Sequence, residues 1–275
     1  MSEGAVHPAL RDRLRNGEPP LISVQDVKVR YGDREVLKGI NLDIYAGDTM
    51  VILGGSGSGK TTLLRNIMAL NRPDSGHIYF KGLDITTCSD SELTGMRKVM
   101  GVSFQSAAMF NSMTVGENVA LPLREHTKLA ESTIRLMTQM KLGQVGLAGV
   151  EDLLPSQLSG GMRKRASVAR ALAMDPEVLV FDEPSAGLDP IIAAGIDELI
   201  LDLKEAFKMT IVIVTHEMTS AFLIADRMCM LYKGEIIVEG SVEEIKSSQH
   251  PRVRQFLERR ADEPDNDGPN FITGL

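Results

Sequence analysis

Strand-like alternation of apolar and polar positions runs through ISVQDVKVRY (22–31), and EVLKGINLDI (35–44) is apolar and β-branched enough for a second strand. TMVILGG (49–55), a short apolar run ending in glycine, predicts a buried strand, and KTTLLRNIMAL (60–70) has the apolar spacing of a helix. A turn at RPDSG (72–76) leads into HIYFKG (77–82), where Ile78 and Phe80 share one face.

From about Ser106 to Gln157 the pattern changes. ENVALPLREH and ESTIRLMTQMKL read as helices with no strand between them, which predicts a helical subdomain (about 106–160) inserted in a mixed fold. The strand–helix alternation then returns. A helix is expected from Gly160 to Ala173, a buried strand at VLVFDE (178–183), a helix near 191–207, a strand at TIVIVTH (210–216), a further helix, and a hairpin around Lys233-Gly234 within RMCMLYKGEIIVEG (227–240). Such alternation argues for an α/β, largely parallel sheet with ligands at the carboxyl ends of its strands.

The first twenty residues are polar and end in Pro19-Pro20, a loose leader. Residues 249–275 form a C-terminal extension. PRVRQFLERR (251–260) suits a short basic helix, while ADEPDNDGPNFITGL (261–275) is acidic and rich in Pro and Gly. Its final FITGL reads either as a frayed terminus or as an apolar handle that docks on another subunit.

Composition narrows the class without naming it. At 275 residues and 43% hydrophobic, the chain buries a substantial core. Its net charge of −7 argues against a nucleic-acid partner. Cys88 and Cys229 lack metal-site spacing and read as reduced thiols. The longest apolar runs, such as TIVIV (210–214), fall far short of the ~20 residues that cross a bilayer.

The chemistry starts at GGSGSGKT, where Gly54, Gly55, Ser56, Gly57, Ser58, Gly59, Lys60 and Thr61 match G-x-x-x-x-G-K-[ST] between an expected strand and an expected helix. Glycines let successive backbone N–H groups turn toward phosphate oxygens, and the helix dipole adds positive charge. Lys60 reaches the β/γ-phosphates, and the Thr61 hydroxyl suits Mg²⁺. VLVFDE supplies the complement: Asp182 at the strand end for the metal, and Glu183 to polarise the attacking water.

LSGGMRKR (158–165) is a second phosphate-type turn, with Ser159, Gly160 and Gly161 opening a helix. One nucleotide does not need two cradles from one chain. The economical reading is a two-fold dimer in which each LSGG turn faces the nucleotide held by the other copy. ATP that binds the closed pair better than the separated halves drives closure, and hydrolysis releases it.

Together, Gly54–Thr61, Gln105, LSGGM at 158–162, VLVFDE at 178–183, SAGLD at 185–189 and His216 after TIVIV resemble the ATP-binding cassette (ABC) ATPases over roughly residues 21–248. That resemblance implies a P-loop NTPase (RecA-like) α/β core with a helical subdomain and an antiparallel β element. It implies that Tyr31 stacks on adenine and that Thr62 joins the phosphate-binding residues. Gln105 would sense Mg²⁺ and the lytic water, His216 would contact the γ-phosphate, and Ser185 to Asp189 would touch the opposite subunit. Met162 departs from the commonest pattern, which has glutamine there. Methionine fills similar volume but lacks the amide's hydrogen bonds.

The stretch FQSAAMFNSMTVGENVALPLREHTKL (104–129), the LSGGM variant and HPRVRQFLERR are together similar to the Mla-type ATPases of Gram-negative bacteria. This implies an ATPase subunit on the cytoplasmic face of the inner membrane, with an integral-membrane permease and an MCE-domain lipid-binding protein as partners and phospholipid as cargo. An importer ATPase for a small polar solute shares every catalytic motif, and a soluble ABC protein of repair or translation is the third alternative. AAMF (107–110) suits either a groove that receives a short permease helix or the core of the helical insertion.

Overall fold

The computed structural model describes residues 17–260. Most of the polar leader and the 261–275 tail lie outside the described residues, so the expected docking of FITGL does too.

Two sheets organise the chain. The first is antiparallel, in the order β2 (Arg34–Ile44), β1 (Ile22–Tyr31), β4 (Ser75–Phe80) and β5 (Leu83–Asp84). The second has six strands. Its order is β10 (Glu235–Gly240), β9 (Arg227–Tyr232), β3 (Thr49–Leu53), β8 (Thr210–Thr215), β7 (Val178–Asp182) and β6 (Met100–Ser103). From β9 to β6 all pairs are parallel, and only β10 runs antiparallel, as the far arm of the hairpin at Lys233-Gly234.

Strands β3, β7 and β8 are buried at every position, which explains why they read as continuous apolar runs rather than alternating ones. Alternation survives in what each face meets. Val51, Leu53, Leu179, Phe181, Ile211 and Ile213 pack in one core. Met50, Ile52, Val178, Val180, Val212 and Val214 pack in a second, with Ile22, Val24 and Ile40 of the antiparallel sheet and Leu63, Leu64 and Ile67 of helix α1 (Lys60–Ile67).

Helix α1 stops earlier than its apolar spacing predicts, because Ala69 turns the chain at φ +52°. Helix α2 (Asp90–Lys98) precedes β6, and its Ser89 and Glu92 form a reciprocal capping box. Strand β6 lies tight against a later helix, α5 (Gly160–Ala171): a Cβ on Gly101 would sit 2.3 Å from the Ala171 carbonyl oxygen. That close approach accounts for a glycine within so short a strand.

Between β6 and α5 run helices α3 (Val115–His126) and α4 (Glu131–Gln144) and a 3-10 turn at Pro155–Gln157. Thr114 and Glu117 cap α3 reciprocally. Buried Asn118 binds the loop before it, accepting from the Phe110 N–H at 2.8 Å and donating to the carbonyls of Phe110, Met113 and Thr114. A small third core of Ala120, Leu123, Ile134 and Ala173 joins these helices to the end of α5. The remaining helices are α6 (Pro190–Phe207), α7 (Met218–Ile224), α8 (Val242–Ser247) and α9 (Pro251–Leu257). Cys88 and Cys229 are free thiols. No described helix is long and apolar enough to cross a membrane.

Candidate functional site

Parallel register brings the chemistry to one edge. Leu53 pairs with Thr215 and Asp182 with Val214, while Ser103 pairs with Phe181, so residues 54, 105, 183 and 216 all follow strands that end at the same level. The glycine loop leaves β3 and enters α1 through Gly59, at φ +109°. A Cβ there would lie 2.8 Å from Leu37 Cδ2, so both backbone and space call for glycine.

Within the loop, Lys60 Nζ donates to the Gly54 and Gly55 carbonyls at 2.8 and 3.1 Å and lies 3.6 Å from Glu183 Oε1. Ser58 Oγ is buried without a hydrogen-bond partner among the described residues. Exposed Ser56 and Gly57 form the outer lip, and Thr61 and Thr62 open α1 half-buried. An anion fits here: it meets a buried ammonium, an unsatisfied hydroxyl and a helix N-terminus together.

Thr61 Oγ1 donates to Asp182 Oδ1 at 3.4 Å. Burial first, then the charge of Glu183, pushes the Asp182 carboxyl above its ordinary range. A hydroxyl and a buried carboxylate beside a second acid are the oxygen donors a hard divalent cation takes, so the residues fit Mg²⁺. An open cleft of about 740 Å³ is lined by Thr61, Asp182, Gln105, Arg65, Ala108 and Gly187, among others. Gln105 thus lines the same cleft as Thr61 and Asp182. Ser159, Gly160 and Gly161 do not line this cleft.

Glu183 holds φ +51°, a left-handed backbone rare for a residue with a β-carbon. Its N–H donates to the Val214 carbonyl at 2.9 Å. Its Oε2 lies 2.8 Å from His216 Nδ1 and accepts from the His216 N–H at 3.3 Å. Glu183 and His216 therefore form one unit at the ends of adjacent strands. Tyr31 ends β1 and is 51% exposed, with its hydroxyl oxygen accepting from Asn71 Nδ2 at 3.3 Å. Its cross-strand partner Arg34 reaches toward Gly57, within 3.9 Å of where a Cβ would stand, which sets Tyr31 on the loop's side of the molecule.

The LSGG turn is built as a helix start. Ser159 caps α5 by accepting from the Met162 N–H at 3.2 Å. Met162's side chain packs against the main core, so its apolar character has a use that glutamine would not serve. The turn sits on the segment after Glu183: a Cβ on Gly160 would lie 3.3 Å from Leu188, and one on Gly161 only 2.5 Å from Ile192. Asp189 caps α6, accepting from the N–H groups of Ile191 and Ile192. Ser185 Oγ is buried without a partner among the described residues.

The basic side chains that follow LSGG turn to backbone carbonyls. Arg163 donates to Leu158, Lys164 to Glu183, and Arg165 to Val145 and Gly195. Further along α5, Arg170 donates to the carbonyls of Ala107 and Ala108 at 2.9 and 2.7 Å, both residues being left-handed. Lys164 and Arg170 were missed as site residues, because a carbonyl partner leaves no mark in sequence.

A sequence profile described as ABC transporter matches residues 37–186. The chain belongs to the ABC transporter family. It is an ABC ATPase, and its domain binds ATP. The chain is 44% identical over 239 residues to a Mycobacterium leprae protein named "Probable ribonucleotide transport ATP-binding protein mkl", covering 87% of this chain and 69% of that one. It is also 44% identical over 244 residues to the Haemophilus influenzae "Intermembrane phospholipid transport system ATP-binding protein MlaF", covering 89% of this chain and 92% of that protein. The Escherichia coli K12 protein of the same name is 43% identical, with 89% and 91% covered. Among solved structures, the ATP-binding cassette MJ0796, dimeric in a post-hydrolysis state with ADP and Pi, aligns with TM-score 0.74 at 31% identity, covering 80% of this chain and 98% of that one. The CbiO1 protein of Clostridium perfringens, part of the ABC transporter complex CbiONQ, aligns with TM-score 0.77 at 31% identity over 88% and 100%. The cassette fold and ATPase activity expected from the motifs are thereby borne out, as is the likeness to Mla-type ATPases.

Proposed function

We propose that this cassette powers phospholipid trafficking between inner and outer membranes, as the ATPase of an assembly with an integral-membrane permease and an MCE-domain lipid-binding protein. The observation that carries this reading is end-to-end likeness: the match spans 92% of the Haemophilus influenzae MlaF protein. A second reading, ribonucleotide transport, has the mycobacterial names in its favour at the same identity, over 69% of the relative's length. Purification of the assembly from membranes and reconstitution in vesicles separates the two. ATP-dependent transfer of labelled phospholipid is expected, and ATP-dependent ribonucleotide uptake without lipid transfer would replace this reading by the second.

In the proposed cycle, two copies close about two nucleotides at the cytoplasmic face of the inner membrane. Residues 21–248 are the cassette, with 106–160 as its helical arm. Tyr31 stacks on adenine, Gly54 to Thr62 wrap the phosphates, and Lys60 leaves its loop carbonyls for the β/γ oxygens. Thr61, Asp182 and Gln105 are the residues that would hold Mg²⁺, which would neutralise phosphate charge. Glu183 takes a proton from the water that attacks the γ-phosphorus as the bond to ADP breaks, and His216 orients Glu183 through Oε2 while facing the γ-phosphate. Ser159, Gly160 and Gly161 reach the partner's nucleotide. The segment from Ser185 to Asp189 touches the opposite copy.

A further inference from the structure

Lys164 is a buried cation, only 6% exposed, and its ammonium donates at 3.0 Å to the carbonyl of Glu183. We infer that Lys164 is a positioning residue for Glu183, tying the carboxylate of one ATP site to the helix whose first turn serves the partner's nucleotide. The inference rests on the proposed roles of Glu183 and Ser159.

A left-handed backbone at a residue with a β-carbon persists only where its surroundings hold it. At Glu183 those holds are few. The N–H is fixed to Val214 on β8, and the carboxylate meets His216, which follows the same strand. The carbonyl accepts a long 3.3 Å bond from the Ala186 N–H within its own turn, and the shorter bond from Lys164. Lys60, the first residue of α1, lies 3.6 Å from Oε1, so Lys164 is the contact that reaches the Glu183 backbone from a helix. Without it the Glu183 carbonyl is held only by the long bond within its own turn, and drift of that turn carries the carboxylate off its line to the attacking water.

Helix α5 gives this bond its reach. Ser159 caps its start and Lys164 stands five residues on, about 7.5 Å along the axis. One turn later Ser167 Oγ lies 3.0 Å from Ser103 Oγ on β6, just before Gln105. Displacement of the LSGG turn by the partner's nucleotide therefore moves Lys164 as one body with it. The glutamate of each site is thus set by occupancy of the other.

The test is steady-state ATP hydrolysis by the full chain carrying Lys164→Met, Lys164→Gln, Glu183→Gln, or Lys164→Met with Glu183→Gln. Methionine fills the buried stem's volume without a donor. Glutamine keeps a neutral donor. Lys164→Met is expected to lower kcat about tenfold or more with KM for ATP within about twofold, since loss of a hydrogen bond from a charged group is of that size. Lys164→Gln is expected to recover part of it. The double variant should be no slower than Glu183→Gln alone. Wild-type kcat for Lys164→Met, a fall expressed only in KM, no recovery with glutamine, or independent multiplication in the double variant would each overturn the inference. Wild-type turnover by Glu183→Gln would instead discard the reading of Glu183 as base, and this inference with it.

Discussion

His216 Nδ1 stands 2.8 Å from Glu183 Oε2, and the His216 backbone N–H meets the same oxygen at 3.3 Å. One carboxylate oxygen is thus committed to the histidine, and Oε1 is the oxygen facing Lys60. Glu183→Gln preserves shape but supplies an amide where a base is needed. Hydrolysis should fall at least 10²-fold while ATP affinity stays within about threefold, leaving a nucleotide-bound dimer. Light scattering with ATP, together with single-turnover rates, checks both halves; brisk hydrolysis would remove Glu183 from the role.

Lys60 donates to two loop carbonyls beside buried Ser58, so the same ammonium shapes the loop and meets the phosphates. Lys60→Ala should weaken ATP binding by about 10–100-fold, the worth of a charge-assisted hydrogen bond. Titration with a fluorescent ATP analogue measures it. An unchanged Kd would count against the loop as the phosphate site.

Ala108 is exposed and holds φ +46°, and it borders both the Gln105 cleft and a neighbouring cavity of about 610 Å³ lined by Phe110, Leu121, Pro122 and Arg170. Ala108→Glu places a carboxylate against this mostly apolar wall. The variant is expected to bind ATP but to lose permease in co-purification from membranes. Recovery of the intact assembly with normal lipid transfer would refute the docking role.

Asp197 is 4% exposed on α6, and its Oδ1 lacks a partner among the described residues. Burial raises its carboxyl above the ordinary value of 3.8, partly offset by a hydrogen bond with Ser220. A raised acid favours folding while protonated. Its contribution is whole below 3.8 and is lost as pH rises through the higher folded value. Asp197→Asn should therefore raise Tm at neutral pH, by about 2–4 °C per kcal/mol regained, with the gain shrinking toward acid. Calorimetry at several pH values reads it, and a gain independent of pH would be the wrong result.

Much of the fold was legible because β3, β7 and β8 are buried strands whose ends carry the site residues: Asp182 closes β7, Glu183 follows it and His216 follows β8. Helix α2 and strand β6 were less so. DSELTGMRK is short and polar, though its Ser89-to-Glu92 capping box was a usable signal. MGVS spans four residues, and its glycine answers to the Ala171 backbone seventy residues away. The site divides the same way. Gly54 to Thr61 announce themselves by motif, whereas Lys164 and Arg170 act on carbonyls, and any residue supplies a carbonyl.

Ala107 and Ala108 sit side by side in the left-handed region, with both carbonyls clamped by the Arg170 guanidinium and the next residues stitched to Asn118. Chain entropy for this loop is therefore surrendered when the subunit folds, and a helix docking there would meet a surface already set in shape. Its recognition would be governed by fit and encounter rate, and little by the cost of ordering the loop.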